Sequence, residues 1–145
     1  MKSQTFSAHR DHLLVLAPGD EFLTAIMNFA KTNGIEGASF SAIGAFETAT
    51  VAYWNRETKR YEDIEVAEQV EVLSLSGSVA RAADDVKIHA HAVLGRRDGS
   101  TLGGHLVRGK IYPTLEVFVS DYRTRLTRGR DAGTGLWLLQ LTQPQ

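Results

Sequence analysis

Near its middle the chain reads Lys87-Ile88-His89-Ala90-His91-Ala92-Val93-Leu94, and after a short turn it reads Thr101-Leu102-Gly103-Gly104-His105-Leu106-Val107. Both runs are typical of β-strands, and the Arg97-Asp98-Gly99-Ser100 segment between them is typical of a hairpin turn. The sequence therefore predicts an antiparallel pair of strands that carries three of the chain's five histidines.

The spacing of these histidines suggests how they are arranged. Residues two apart on a strand point to the same face of the sheet, so His89 and His91 are predicted to form an imidazole pair. An odd-numbered loop centred on Asp98 sets His91 directly opposite His105. A two-residue loop instead sets His105 opposite Ala92 and turns it away from the pair. The sequence leaves both loops open.

Three neutral imidazoles on one sheet face suit a zinc site with one coordination position left open. The adjacent Gly103-Gly104 pair is typical of a bulge or of a close backbone approach, which would help to aim His105. Two plainer interpretations remain. The histidines can be polar residues on a solvated face, or core histidines whose nitrogens bond to backbone carbonyls.

Composition limits the class of protein. The chain has 145 residues, of which 43% are hydrophobic and 23% charged, and these values are typical of a folded protein with one core. We expect a single domain over residues 1–145, with a core at about 12–120 and a C-terminal strand at about 135–141. There is no cysteine, so zinc or another first-row divalent metal would have to be held by histidine and carboxylate.

Charge and motifs limit the kinds of partner and cofactor that we expect. The formal net charge of −1 gives no general attraction to nucleic acid or to membranes. The apolar runs are too short to span a bilayer, and the first residues lack the apolar core of a signal peptide, so we expect a cytoplasmic protein. No phosphate-cradling glycine motif is found, which argues against a nucleotide cofactor.

The remaining pattern predicts an α+β fold in which a largely antiparallel sheet packs with one or two helices. A strand at residues 12–16 is followed by Asp20 as the N-cap of a helix that ends near Asn33-Gly34. Residues 80–85 could form a second helix. The other predicted strands lie at residues 38–45, 48–54, 60–66, 70–79, 87–94, 101–107 and 111–121.

Two carboxylates stand inside otherwise apolar strands, and we regard Glu71 and Glu116 as candidate catalytic residues. Either one could orient an imidazole or act as a general base near a metal. The plainer interpretation is that each carboxylate faces solvent on the polar side of its strand.

A local basic stretch could contact nucleic acid. It contains Arg123, Arg125, Arg128 and Arg130, and such side chains can bind phosphates. Arg128-Gly129-Arg130 is similar to the centre of a minor-groove-binding hook, but Asp131 stands where such hooks carry proline. A solvated surface loop explains the stretch more simply.

Several blocks together, in this order, resemble the plants-and-prokaryotes-conserved (PPC) domain family. The resemblance runs from about Leu13 to Val119. The blocks are Pro18-Gly19-Asp20-Glu21, Ala42-Ile43-Gly44-Ala45, Glu71-Val72-Leu73-Ser74-Leu75-Ser76-Gly77, His89-Ala90-His91-Ala92 and Gly103-Gly104-His105-Leu106.

The resemblance implies a compact α+β domain that assembles as a homotrimer. In plants the domain follows AT-hook segments that bind DNA and acts in assembly and regulation, whereas prokaryotic members are usually the bare domain, in which the histidine cluster can hold a metal. We expect a bare domain here, without a hook, so DNA binding has little support. The expected function is a DNA-binding or regulatory assembly module with a histidine metal site. The alternative is a metal-dependent protein or enzyme that acts on small molecules, with no assignable reaction.

Overall fold

The computed structural model describes residues 3–141, and within them the chain forms eight β-strands and one α-helix. In chain order these are β1 (Arg10–Leu16), α1 (Phe22–Asn33), β2 (Gly37–Asn55), β3 (Arg60–Val66), β4 (Val70–Ala82), β5 (Asp85–Gly95), β6 (Thr101–Asp121), β7 (Thr127–Arg130) and β8 (Trp137–Gln140). The predicted combination of a largely antiparallel sheet with a helix is confirmed. The C-terminal strand lies within the predicted range.

The central strands close on themselves. The sheet follows the order β3-β2-β6-β5-β4-β7-β8, with β1 paired to β6, and among the described strands only the β4–β7 pairing is parallel. Because β4 also pairs with β2, the strands β2, β6, β5 and β4 form a ring. Closure leaves these strands few free edges and encloses an apolar core. Its fully buried side chains include Leu75, Leu94, Leu106, Leu115 and Val117.

The helix α1 covers one side of this core. Glu21 is its N-cap and accepts hydrogen bonds from two backbone N–H groups of the first turn, at 3.1 and 2.9 Å. Asp20, which we expected in that role, instead accepts a bond from the backbone N–H of Ala17 at 2.9 Å. The predicted C-cap is confirmed at Gly34, which has a φ of +64°. Phe22, Ile26 and Ala30 are buried. Among the described residues, no helix has the length and apolar character needed to cross a membrane.

The expectation of a second helix at residues 80–85 is wrong. This segment is the end of β4, a tight turn and the start of β5. Ala82 pairs with Asp85 across the turn, and Ala83 takes a φ of +53°, which an α-helix does not allow. Strand pairing satisfies the backbone groups that a short helix would have had to satisfy alone.

The two strands predicted at 38–45 and 48–54 are one continuous strand, β2. Its pairing with β6 shifts register between Gly44 and Phe46, so the strand bends without ending. Pro113 lies in the part of β6 that this shift leaves unpaired. Proline cannot donate a hydrogen bond to a neighbouring strand, and at this irregularity no such bond is needed.

Candidate metal centre

The β5–β6 hairpin sets the register of the histidines. Its loop has five residues, 96–100, and both the backbone N–H and the hydroxyl of Ser100 donate to Asp98 Oδ1, at 2.9 and 2.6 Å. This odd-numbered loop is centred on Asp98 and places His91 directly opposite His105. The odd-numbered loop is therefore confirmed, and the two-residue alternative is wrong.

The three predicted histidines come together. The Nε2 atoms of His89 and His91 lie 3.1 Å apart, and each of the three residues offers one nitrogen within 4.8 Å of the others. In a tetrahedral zinc site with Zn–N bonds of 2.0–2.1 Å, ligand nitrogens are about 3.3 Å apart. One pair already has this spacing, and His105 would need only a modest side-chain adjustment. The group could hold a metal ion.

The protonation state suits metal binding. Burial, together with the smaller effects of the nearby Arg128, His105 and His91 charges, lowers the pKa of His89 to about 4. Burial also lowers the pKa of His105, with contributions from His91 and Arg128. At pH 7 both imidazoles are therefore neutral, and a nitrogen lone pair is free to bind a metal.

His105 also has an unsatisfied atom. Its Nδ1 is buried and has no hydrogen-bond partner among the described residues. A buried polar atom without a partner is costly, and a metal ion or a ligand would offset that cost. The imidazole ring of His105 also stacks on the ring of Tyr61, with ring centroids 4.7 Å apart. The side chains present therefore fit a first-row metal with imidazole ligands.

The Gly103-Gly104 pair allows β6 to run close to both of its neighbours. A β-carbon at Gly103 would lie 2.6 Å from the carbonyl oxygen of Ala92, and one at Gly104 would lie 2.7 Å from that of Ala52. The predicted close backbone approach is confirmed. The β2–β6 register also shifts just beyond His105.

The structure does not bring the two candidate carboxylates to the histidines. Glu71 is exposed and pairs with Gly95 at the end of β5, whereas His89 pairs with Ser78 near the middle of that strand. Glu116 is also exposed and pairs with Val15 and Ile43 on the outside of the sheet. Both side chains match the plainer interpretation of solvent-facing residues.

A pocket of about 480 Å³ adjoins the histidines. We call it the histidine pocket, and it is lined by His89 and His105 together with a second group, Arg128, Trp137, Leu138 and Leu139. Most of the second group comes from the C-terminal strand β8. The sequence did not connect this strand with the histidines, because no local pattern reports contacts between segments so far apart.

The interpretation of the basic stretch as a solvated loop is wrong at Arg128. This residue lies in β7, is only 7% exposed, and donates to Trp137 O at 3.1 Å and to Ser78 Oγ at 2.7 Å. Its alternation with the buried Leu126 was the one signal in the sequence that could have indicated an inward direction.

The other three arginines point elsewhere. Arg125 makes a bidentate ion pair with Glu36, at 2.9 and 3.2 Å, while Arg123 and Arg130 are exposed. The basic stretch therefore does not form one continuous cationic surface.

Comparison with known proteins points in the same direction as the motifs. The family model described as the Plants and Prokaryotes Conserved (PCC) domain matches residues 3–123. A metal-containing protein from Archaeoglobus fulgidus is 36% identical, with a TM-score of 0.90 over 97% of this chain and 100% of that chain. A plant- and prokaryote-conserved (PPC) protein from Pyrococcus horikoshii is 32% identical, with a TM-score of 0.90 over 99% of this chain and 100% of that chain.

Two further relatives carry other names. A protein from Ralstonia eutropha JMP134 named "Putative DNA-binding protein" is 29% identical, with a TM-score of 0.84 over 90% of each chain. The Bifunctional protein GlmU of Synechococcus sp. (strain JA-3-3Ab) is 33% identical over 129 residues, or 87% of this chain, and the chain spans only 20% of that curated relative's length. From the match over most of its length and the shared fold, the chain belongs to the plants-and-prokaryotes-conserved (PPC) domain family.

Proposed function

We propose that this chain is a metal-binding PPC-domain protein in which His89, His91 and His105 hold a first-row divalent ion, with zinc as the first candidate. The observation that carries the proposal is the convergence of three imidazole nitrogens within 4.8 Å, two of them on neutral side chains. The name of the Archaeoglobus fulgidus relative, a metal-containing protein, adds support. When bound, the ion would supply a Lewis acid with a coordination position open to an oxyanion or to water.

The chain's own residues prepare this site. The hairpin register holds His91 opposite His105, and the ring of Tyr61 stacks on His105 and limits its rotation. His89 reaches the site from the same strand as His91. Two of the three proposed ligands, His89 and His105, line the histidine pocket, so a small molecule in the pocket would lie close to the metal. We therefore favour the small-molecule function over direct DNA binding.

Metal content is the direct test. Untagged protein, purified gently, should contain close to one zinc per chain by elemental analysis. His91→Ala should lose the metal. Because His91 is exposed, metal-free His91→Ala should unfold at the same temperature as metal-free wild-type protein. His9→Ala, which removes another exposed histidine, should keep the metal. Metal-free wild-type protein that also fails to take up added zinc would refute the proposal.

A second candidate function is a trimeric assembly module that acts in regulation, in the cytoplasm. It is supported by an apolar patch on the outside of the sheet, formed by Leu13, Val15, Ile43 and Phe118, which are between 49% and 66% exposed. A patch of this kind commonly marks a protein interface. Three copies of the chain could cover these side chains.

Direct DNA binding belongs to this second candidate. It is supported by the name of the Ralstonia eutropha relative and by the exposed Arg123 and Arg130. A mobility shift with A·T-rich duplex DNA over a salt series tests it, because phosphate contacts weaken as salt rises. The absence of a shift at low salt would exclude direct DNA binding.

A further inference from the structure

The histidine pocket is positively charged. Arg128 and Lys87 both border it, and among the described residues that line it there is no aspartate or glutamate. A divalent ion on the three histidines would add to this charge. A concave site with several cations and no acidic partner favours an anionic ligand.

Arg128 has N–H groups that donate to no described residue. The guanidinium carries five N–H donors, and the described residues accept from only two of its nitrogens, through Trp137 O and Ser78 Oγ. Its Nε is buried without a partner. The two bonds join β7 to β8 and to β4, but they leave further donors on a side chain that borders the pocket. Arginine of this kind binds carboxylates through two parallel hydrogen bonds.

Part of the pocket lining is apolar. Trp137, Leu138 and Leu139 border the pocket, and the two leucines are 45% and 42% exposed. Lys87 Nζ lies 5.5 Å from the centroid of the Trp137 ring, which holds the ring at the edge of the pocket. An apolar wall that remains open to solvent suits the hydrocarbon part of a ligand.

We infer that the histidine pocket binds a small organic carboxylate with an apolar body. The carboxylate lies between Arg128 and the three histidines, and the apolar body lies against Trp137, Leu138 and Leu139. The volume of about 480 Å³ suits a ligand of this size. The inference rests on the proposed metal function for one end of the ligand and on Arg128 for the other.

Calorimetric titration with 3-phenylpropionate tests the inference, and 3-phenylpropionamide serves as the uncharged probe of similar shape. Both are titrated into zinc-loaded and chelator-treated protein whose zinc content is measured. We expect the zinc-loaded protein to bind the carboxylate at least about tenfold more tightly than the amide, as charge-assisted hydrogen bonds allow.

Variants locate the binding site. Arg128→Lys keeps the charge but loses the planar donor pair, and we expect it to reduce carboxylate affinity by about tenfold without changing zinc content. Lys87→Gln, at the exposed edge of the pocket, should reduce affinity less. Arg97→Lys, exposed in the hairpin loop and outside the pocket, should bind as wild type does. If Arg128→Lys does not fold, Lys87→Gln and the amide comparison still provide the test.

The outcomes separate this inference from the metal proposal. Zinc-loaded protein that binds both probes equally, or neither, overturns the inference and leaves the metal site intact. Protein that takes up no zinc but prefers the carboxylate, with a loss in Arg128→Lys, overturns the metal proposal and supports the arginine site. Protein that binds neither zinc nor the carboxylate overturns both.

Discussion

Two residues of the candidate site, His89 and Arg128, are more buried than is usual for charged or titratable side chains. His89 has a pKa lowered to about 4, mainly because it is partly buried. Arg128 is buried although most arginines are exposed. His89 and Arg128 both line the site that we propose to bind metal at one end and an anion at the other.

Replacement of Gly104 should disturb the site through the backbone. In Gly104→Ala the new β-carbon would lie 2.7 Å from Ala52 O, so β2 and β6 would have to move apart. We expect a loss of about 1–3 kcal/mol in unfolding free energy by urea titration, together with weaker zinc binding because His105 is the next residue. Gly133→Ala, where the nearest atom is a side-chain oxygen at 3.3 Å, should cost less. Equal losses in the two variants would contradict this explanation.

At the scale of single residues, spacing predicted the histidine pair, since a strand alternates its faces whatever surrounds it. The same rule did not reveal the role of Arg128. Its burial depends on β8, which lies beside β7 only in the folded chain. Burial of a charged group is decided by its neighbours in space, and local sequence does not specify them.

At the scale of elements, the β5–β6 hairpin matters most. Asp98 accepts two hydrogen bonds from Ser100, and these bonds lower the pKa of the Asp98 carboxyl below its ordinary value. The folded state therefore favours the charged form. The resulting stabilisation is present above the ordinary pKa of 3.8 and is lost as pH falls through the lower pKa of the folded state.

This linkage predicts a pH-dependent effect of Asp98→Ala. At pH 7 the variant should unfold at a lower urea concentration than wild type. The difference should shrink as pH falls below 3.8, because Asp98 of the wild-type protein then becomes protonated and loses its charge. Asp84→Ala, in the β4–β5 turn, serves as the control substitution. A difference between wild type and Asp98→Ala that stays constant from pH 7 to acid would show that the charge of Asp98 has no part in the hairpin.

Element boundaries were predicted less well than element types. Local pattern could not decide between helix and strand at residues 80–85, because the deciding factor is the pairing of β4 with β5. It also divided β2 between Ala45 and Thr48, where the folded chain has register shifts within one continuous strand. Tertiary pairing overrides such local signals.

At the scale of the whole molecule, the outer face of the sheet leaves apolar side chains uncovered. Leu13 lies opposite Phe118 across the β1–β6 pairing, and Val15 and Ile43 lie on either side of Glu116. These side chains form one patch, which we propose as the contact between copies of the chain. Burial of such a patch would stabilise a trimer.

The patch already holds one carboxylate, Glu116, and a second carboxylate beside it should prevent assembly. Wild-type protein is expected to have the mass of a trimer by light scattering, and Phe118→Glu the mass of a monomer, because an unpaired carboxylate is costly to bury. Ile64→Glu, on the exposed strand β3, should remain trimeric. A monomeric wild type would refute the trimer, and a trimeric Phe118→Glu would exclude this patch as the interface.

The sequence by itself determined the class of fold, the histidine pair and the membership in the family, because alternation, turn chemistry and motif order are local properties of a chain. Only the tertiary structure decided the ring of strands, the register that sets His91 opposite His105, and the placement of Arg128 and β8 beside the histidines. These features depend on which strands pair over long separations. Such pairing is chosen by the burial of the whole apolar core and not by any one segment.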